Sequence, residues 1–342
     1  MSTPPEPLRA IVVGLGIMGN HHLRVLRALE EVVVVAVADP DSDRRARAER
    51  AYPGVTAHPS LEQAAESAAA DFACVAVPAA NLASSATEAL HAGLHVLVEK
   101  PMARTVVEAR ELAQAAADRG LTLSVGFVER FNPAVVALRR KIQEGVVGEI
   151  YQVHARRLSP FPDRDSMLGV ALDLATHDID VMRFLLEDEV HRVYAETARR
   201  LHETAEDLLC ATLRFDHGAT GLLEVNWLTP AKVRQISVTG ERGMFTVDYL
   251  SQELRFYEHP VRETTMWGAL AGMRGAGEGD MIRYALTRQE PLRQEWQAFV
   301  DTLRNGTPPA VTADDAIAAL SIARSIQRAS DDGAVIRPDY RS

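Results

Sequence analysis

The sequence predicts an α/β fold in which a doubly wound parallel sheet is followed by an α+β part built on an open, mostly antiparallel sheet. Three observations carry this expectation. From Arg9 to about Gly126, apolar runs alternate with amphipathic stretches of helical period, the pattern of strand-helix-strand units joined by right-handed crossovers. After Gly126, strand-like segments follow one another across short turns with few helices between them. Between the first apolar run and the first helical stretch stands Gly14-Leu15-Gly16-Ile17-Met18-Gly19. A chain of 342 residues is also about twice a typical domain, so we place one domain at residues 1–126 and a second at 127–342.

In the first domain the apolar runs predict strands at 9–13, 33–38, 72–77, 95–98 and 122–125. Helices are expected near 17–29, 42–51, 60–68, 81–92 and 105–119, with Ser60 and Thr105 as starts and Gly93 and Gly120 as stops. In the second domain, strands are expected at 150–157, 192–199, 207–216, 219–227, 233–240 and 243–249, with Asp216-His217-Gly218 as a hairpin turn. Helical spacing covers Leu172 to Leu185 and two late segments, 290–304 and 313–329. The glycine-dense stretch Gly268–Gly279 reads as a solvated connector or a substrate lid. A sheet with helices on one face leaves the other face needing cover, so a homodimer or homotetramer through the second-domain sheet is expected.

Composition excludes several functions. A formal net charge of −10 opposes nucleic-acid and anionic-membrane partners, and any anionic substrate must meet local arginines. The longest apolar run, Val32–Ala38, is too short to span a bilayer, and no secretory segment is visible behind the proline-rich start. Cys74 and Cys210 each fall inside an apolar strand-like run, which predicts buried thiols in a reducing compartment, the cytoplasm, in place of a disulfide.

The glycine run has the spacing of a dinucleotide-binding turn. Gly14 permits the tight turn, Gly16 lets backbone approach a pyrophosphate, and Gly19 lets the helix pack close to the strand. The helix then presents free N–H groups and its positive dipole end to the phosphates. Asp39 ends the second apolar run, 20 positions after Gly19, where a carboxylate can accept from an adenosine ribose. Its charge favours NAD. Arg44, Arg45 and Arg47 follow closely and can either bind the extra phosphate of NADP or form a solvated helix face.

Glu99-Lys100-Pro101 ends a predicted parallel strand, where ligands bind in open α/β sheets, and a lysine there can donate to a substrate oxygen. The proline restricts Lys100 to extended backbone, and a cis peptide fits the step. In Leu172 to Leu185, Asp173 and His177 stand four apart on one expected helix face, with Asp180 a turn further on. A carboxylate beside an imidazole suits a histidine that takes a proton from an alcohol. The same Asp, His and Asp also have the chemistry of metal ligands; because a nicotinamide accepts the electrons and Lys100 polarises the oxygen, no metal is expected.

Together, the glycine run, Glu99-Lys100-Pro101 and the Asp173–His177 pair resemble the Gfo/Idh/MocA oxidoreductase family over nearly the whole chain. The resemblance implies a Rossmann domain, an open antiparallel sheet, and hydride transfer between NAD(P) and a sugar or polyol. It gives Lys100 and His177 acid/base roles, with Asp173 orienting the histidine or substrate. Cofactor contacts are implied for Gly14, Gly16, Ile17, Met18 and Gly19, and also for Asp39, Pro78, Glu99 and Lys100. Glu129–Val135, Arg156 to Arg164, His177–Asp180 and Glu224–Pro230 are similar to the subgroup of UDP-N-acetylglucosamine 3-dehydrogenases. This places Arg130, Asn132, Arg157 and Arg164 on the substrate side beside Asp173 and His177, and a diphosphate would explain Arg156, Arg157 and Arg164, whose other reading is surface ion pairing. Two departures stand out: Leu82 where the family often carries a histidine after Pro78, and Ala175 two positions after Asp173 where a glycine is usual. The expected reaction is NAD-dependent oxidation of C3 of a UDP-linked amino sugar. Alternatives are a free inositol or sugar dehydrogenase, a deoxysugar ketoreductase, an NAD-dependent glycoside hydrolase, and a non-catalytic nucleotide sensor.

Overall fold

The structure, a computed structural model, describes residues 6–162, 168–259 and 279–340. The chain forms two compact units. The first is Met1–Val128 with Glu290–Leu320 and Tyr340–Ser342, and the second is Glu129–Gln289 with Ser321–Asp339.

The first unit holds six strands: β1 (Leu8–Val13), β2 (Val32–Ala38), β3 (Thr56–His58), β4 (Phe72–Val75), β5 (His95–Glu99) and β6 (Leu123–Gly126). All pair in parallel, in the order β3-β2-β1-β4-β5-β6, so the order reverses between β1 and β4. The crevice at the carboxyl ends of those strands is the ligand position of such sheets. The crossovers are α1 (Ile17–Arg27), α2 (Ser42–Ala51), α3 (Leu61–Ser67), α4 (Leu82–His91) and α5 (Val106–Asp118). The two expected starts hold, Ser60 capping α3 and Thr105 with Glu108 forming a capping box on α5, and Asp41 caps α2. β3 is the strand that periodicity does not reveal, because it is a three-residue edge strand without an apolar run.

A late helix, α8 (Pro291–Asn305), completes this unit. Its Leu292, Trp296, Phe299 and Val300 repeat at helical spacing and join the core formed by α1, β1 and β2. Trp296 is fully buried, against Phe72 and Phe299.

The second unit is built on an eight-stranded sheet in the order β14-β13-β12-β11-β7-β10-β9-β8, antiparallel except for the β7–β10 pair. The strands are β7 (Ile150–Leu158), β8 (Val190–Ala198), β9 (Leu208–Phe215), β10 (Thr220–Asn226), β11 (Val233–Gly240), β12 (Gly243–Asp248), β13 (Glu253–Glu258) and β14 (Met281–Tyr284). Two helices belong to it, α6 (Pro133–Gln143), which sequence pattern alone did not single out, and α7 (Thr176–Leu186); residues from Ser321 on, the later part of α9 (Ala313–Asp332), belong to it as well. Burial alternates along the strands, so Val153, Ala155 and Arg157 of β7 face the covered side, and His154 and Arg156 face the other. The same alternation corrects one expectation: Cys210 is exposed, because Leu209 and Ala211 take the covered face of β9. Gly268–Gly279, except Gly279, lies outside the described residues. Among the described residues no helix is long and apolar enough to cross a membrane.

Candidate active site

In the first unit the loop after β1 is folded for a ligand. Gly14 has φ +91, and a Cβ there would stand 2.6 Å from the Ala76 carbonyl oxygen, so the β1 and β4 loops touch through a glycine. A Cβ on Gly19 would fall 1.7 Å from the Gly14 oxygen, which sets how closely α1 packs on the turn. Around Gly16, by contrast, a Cβ would meet nothing within 4 Å. Gly16 is also the N-cap of α1, and no side chain caps that helix, unlike α2, α3 and α5. The amide of Asn20 instead takes the Leu15 and Gly16 carbonyls, both at 2.8 Å, leaving the amino end of α1 to an outside acceptor. Beside it Ile17 is 73 % exposed, and a cleft of about 350 Å³ is lined by Leu15, Gly16, Ile17, Asn20, Arg44 and Arg47. An uncapped helix end above an open glycine fits a dinucleotide pyrophosphate.

Asp39 sits at the end of β2, with its carboxylate accepting from the backbone N–H groups of Leu15 at 2.7 Å and Asp41 at 2.9 Å. It therefore holds the glycine turn while keeping lone pairs for a ribose. Arg45 donates to the Asp39 and Pro40 carbonyls and Arg47 to the Asp43 carbonyl; Arg44 lies 3.6 Å from Asp39 on the rim of the cleft.

Strand order brings Gly14–Gly19, Pro78 and Glu99–Lys100 to one edge, after the neighbouring strands β1, β4 and β5. Glu99 is fixed from behind. Trp296 Nε1 donates to His22 Nδ1 at 2.9 Å, and an indole N–H can only donate, so the ring proton of His22 is on Nε2 and goes to Glu99 Oε1 at 2.8 Å. The other carboxylate oxygen accepts the backbone N–H of Lys100 at 3.2 Å. The Lys100–Pro101 peptide is cis. Glu99 thus anchors the backbone of Lys100. His22 and Trp296 were not evident from spacing, since each reads as a core residue of an amphipathic helix.

In the second unit, Asp173 lies in a π-helical turn, Ala171–Ala175, that runs into α7. His177 is in the first turn of α7. The extra residue in the π turn alters the simple four-apart spacing expected from sequence, and such turns are frequent at functional sites. Asp173 is buried and His177 half-buried.

The arginines assigned to substrate are engaged with carboxylates. Arg130 makes two bonds to Asp180, Nε–Oδ2 at 2.7 Å and Nη2–Oδ1 at 2.6 Å, so Asp180 serves as its counter-ion. Arg157 makes two to Asp178, at 2.7 and 3.0 Å, and a third to Glu129 at 3.2 Å. Burial lowers the Arg157 pKa, but Asp178 and Glu129 outweigh it and hold the guanidinium charged. Asn132 caps α6 through Ala134 N–H and donates to the Tyr249 carbonyl. Arg156 points to the opposite face from Arg157 and pairs across strands with Glu224 at 2.8 Å, so these neighbours do not share one diphosphate. Arg164 lies outside the described residues.

Comparison with known proteins decides the family. A sequence model described as oxidoreductase family, NAD-binding Rossmann fold, matches residues 8–127, and one described as the GFO/IDH/MocA C-terminal domain matches residues 135–246. The chain belongs to the Gfo/Idh/MocA oxidoreductase family. It is 29% identical over 337 residues to inositol 2-dehydrogenase 1 of Saccharopolyspora erythraea, covering 95% of each chain. It is 26% identical over 306 residues to UDP-N-acetylglucosamine 3-dehydrogenase of Acidithiobacillus ferrooxidans, covering 88% of this chain and 90% of that one. The crystal structure of the WlbA dehydrogenase from Bordetella pertussis, in complex with NADH and UDP-GlcNAcA, superposes with a TM-score of 0.80 at 24% identity, covering 97% and 99% of the two chains. As a Gfo/Idh/MocA protein, this chain is an NAD-binding oxidoreductase acting on a CH–OH group.

Proposed function

We propose that the protein oxidises a ring hydroxyl, at C3, of a nucleotide-linked sugar such as UDP-N-acetylglucosamine to the ketone. What supports this reading is Arg234, a buried guanidinium without a carboxylate partner among the described residues, beside the paired Arg157 on the covered sheet face of an otherwise acidic protein. NAD, which the Gly14–Gly19 turn and Asp39 would hold, would supply the acceptor for the hydride of the carbinol carbon. His177, oriented by Asp173, takes the hydroxyl proton; Lys100, on backbone held by Glu99, donates to the oxygen as its charge develops. One hydride and one proton leave the alcohol, giving ketone, NADH and H⁺.

Mixing enzyme, NAD and UDP-N-acetylglucosamine should give NADH and keto sugar in equal amounts. Lys100→Ala and His177→Ala should each lower turnover by about 10²–10⁴-fold with NAD binding kept, and wild-type turnover in either overturns the roles. A second reading, oxidation of free inositol, is favoured by the relative from Saccharopolyspora and is separated by the same assay with myo-inositol. Turnover without net NADH would point to a glycoside hydrolase. We also assign the open face of the eight-stranded sheet, where Tyr151 and Tyr194 are exposed, to a homodimer or homotetramer, to be checked by light scattering. The two free thiols fit a reducing compartment such as the cytoplasm.

A further inference from the structure

Across the covered face of the second-unit sheet, three residues stand in a row. Arg157 of β7 pairs in register with Arg234 of β11, and Tyr249, just past β12, bonds back to Arg234 through its backbone N–H at 3.0 Å. Cross-strand partners share a face, so the three side chains are neighbours. Arg157 is answered by Asp178 and Glu129. Arg234 is not. It is 8 % exposed, and its Nη1 donates to the Leu158 carbonyl at 2.7 Å and the Val233 carbonyl at 2.8 Å. Among the described residues its Nε and Nη2 have no acceptor, and no carboxylate lies within ion-pair distance.

Such burial is costly for a cation, and the cost shows: burial and the neighbouring Arg157 charge push the Arg234 pKa down to about 10, against the weaker pull of Asp178, Glu129 and Asp173. Beside it the Tyr249 hydroxyl is buried without a hydrogen-bond partner. Burial, followed by the Asp178 charge, holds that phenol well above its ordinary range, so it stays protonated and can donate. A buried hydroxyl without an acceptor is rare in folded proteins, and with the uncommitted Nε and Nη2 of Arg234 on the same sheet face it asks for the same kind of acceptor.

We propose that Arg234, with the Tyr249 hydroxyl beside it, receives an anionic oxygen group of the substrate, a carboxylate or a phosphate. The assignment rests on the reading of Asp173 and His177 as the reaction centre, since Asp173 is among the charges that act on Arg234. A carboxylate accepts in the plane of the guanidinium from Nε and Nη2 together, and the phenol supplies a further donor.

The test compares wild type with Arg234→Lys, Arg234→Gln and Tyr249→Phe by calorimetric titration with NADH present. The probes are UDP-N-acetylglucosamine, a UDP-linked N-acetylglucosaminuronate, free glucuronate and myo-inositol. Tyr249→Phe removes only an unsatisfied hydroxyl, so it should fold with an unchanged or higher Tm while weakening the anionic probes several-fold; Arg234→Gln should weaken them by about 10–100-fold and leave myo-inositol unchanged. Loss on both uronates assigns the group to a ring carboxylate. Loss on both UDP-sugars with glucuronate unaffected assigns it to the diphosphate. Glucuronate binding that depends on Arg234, in a protein that binds no UDP-sugar, keeps this inference and overturns the nucleotide-sugar reading. Folded variants that match wild type on every anionic probe, or a wild type that binds none of them, overturn the inference, as does equal weakening of myo-inositol.

Discussion

Two glycines three positions apart, Gly16 at the N-cap of α1 and Gly19 within it, should respond in opposite ways to the same added methyl group. In Gly19→Ala the new Cβ would lie 1.7 Å from the Gly14 oxygen, where ordinary contact begins near 3.4 Å, so α1 must retreat from the turn by well over an ångström. Alanine gains about 1 kcal/mol of helix propensity, overpacking costs about 1–3 kcal/mol or more, and the net loss of about 2 kcal/mol corresponds to a Tm fall of about 4–8 °C for a unit of this size. Gly16 has φ −70 and open space about its Cβ position, so Gly16→Ala should unfold within about 1 °C of wild type. Its methyl group projects from the turn where the pyrophosphate is to approach, and NAD affinity should fall by about 5–150-fold. Thermal unfolding without cofactor and fluorescence titration with NADH read the two effects separately. A Gly16→Ala protein that binds NADH as wild type does refutes the placement of the pyrophosphate, and a Gly19→Ala protein with unchanged Tm refutes the packing argument.

Acid stability should depend on Asp207. Its buried carboxylate accepts the backbone N–H groups of Arg200, Leu201 and His202. Burial alone would raise its pKa, but those donors outweigh it and hold it below the usual carboxylate range. A depressed folded value means the stabilisation is complete above about pH 4 and is lost as pH falls toward the folded pKa. Asp207→Asn should therefore cost about 1–3 kcal/mol at pH 7 and flatten the unfolding limb below about pH 4, and a wild-type limb in that variant contradicts the account. The thiols give a further check. Native protein should take one maleimide, at Cys210, because Cys74 is fully buried, whereas unfolded protein should take two; native labelling at Cys74 would refute the burial pattern.

The first unit was readable because its signals are local. The Val32–Ala38 run, the caps at Ser60 and Thr105 and the glycine spacing each depend on a few adjacent residues. The edge strand β3 escaped because three half-exposed residues carry no period. Pairings distant in sequence escaped for a different reason. That Arg130 belongs to Asp180 and Arg157 to Asp178 depends on how α7 packs against α6 and β7, and no spacing rule encodes that packing. Arg234 did leave a trace: in Arg234-Gln235-Ile236-Ser237-Val238 the charged residue holds the parity of the buried positions, as Arg157 does after Val153 and Ala155. A cation in an apolar register marks a position where folding accepts a cost, and it was the signal available for the pair Arg234 and Tyr249.

The lodging of Trp296 in the amino-terminal core bears on how the chain is made. The indole that fills the space beside Phe72 and holds the ring of His22 leaves the ribosome some 270 residues after that histidine. Until then the nascent nucleotide-binding sheet has an apolar gap against α1, and Glu99 lacks its settled imidazole partner. The amino-terminal core is therefore completed only once position 296 has been made, and chains cut short before it lack the indole that holds His22.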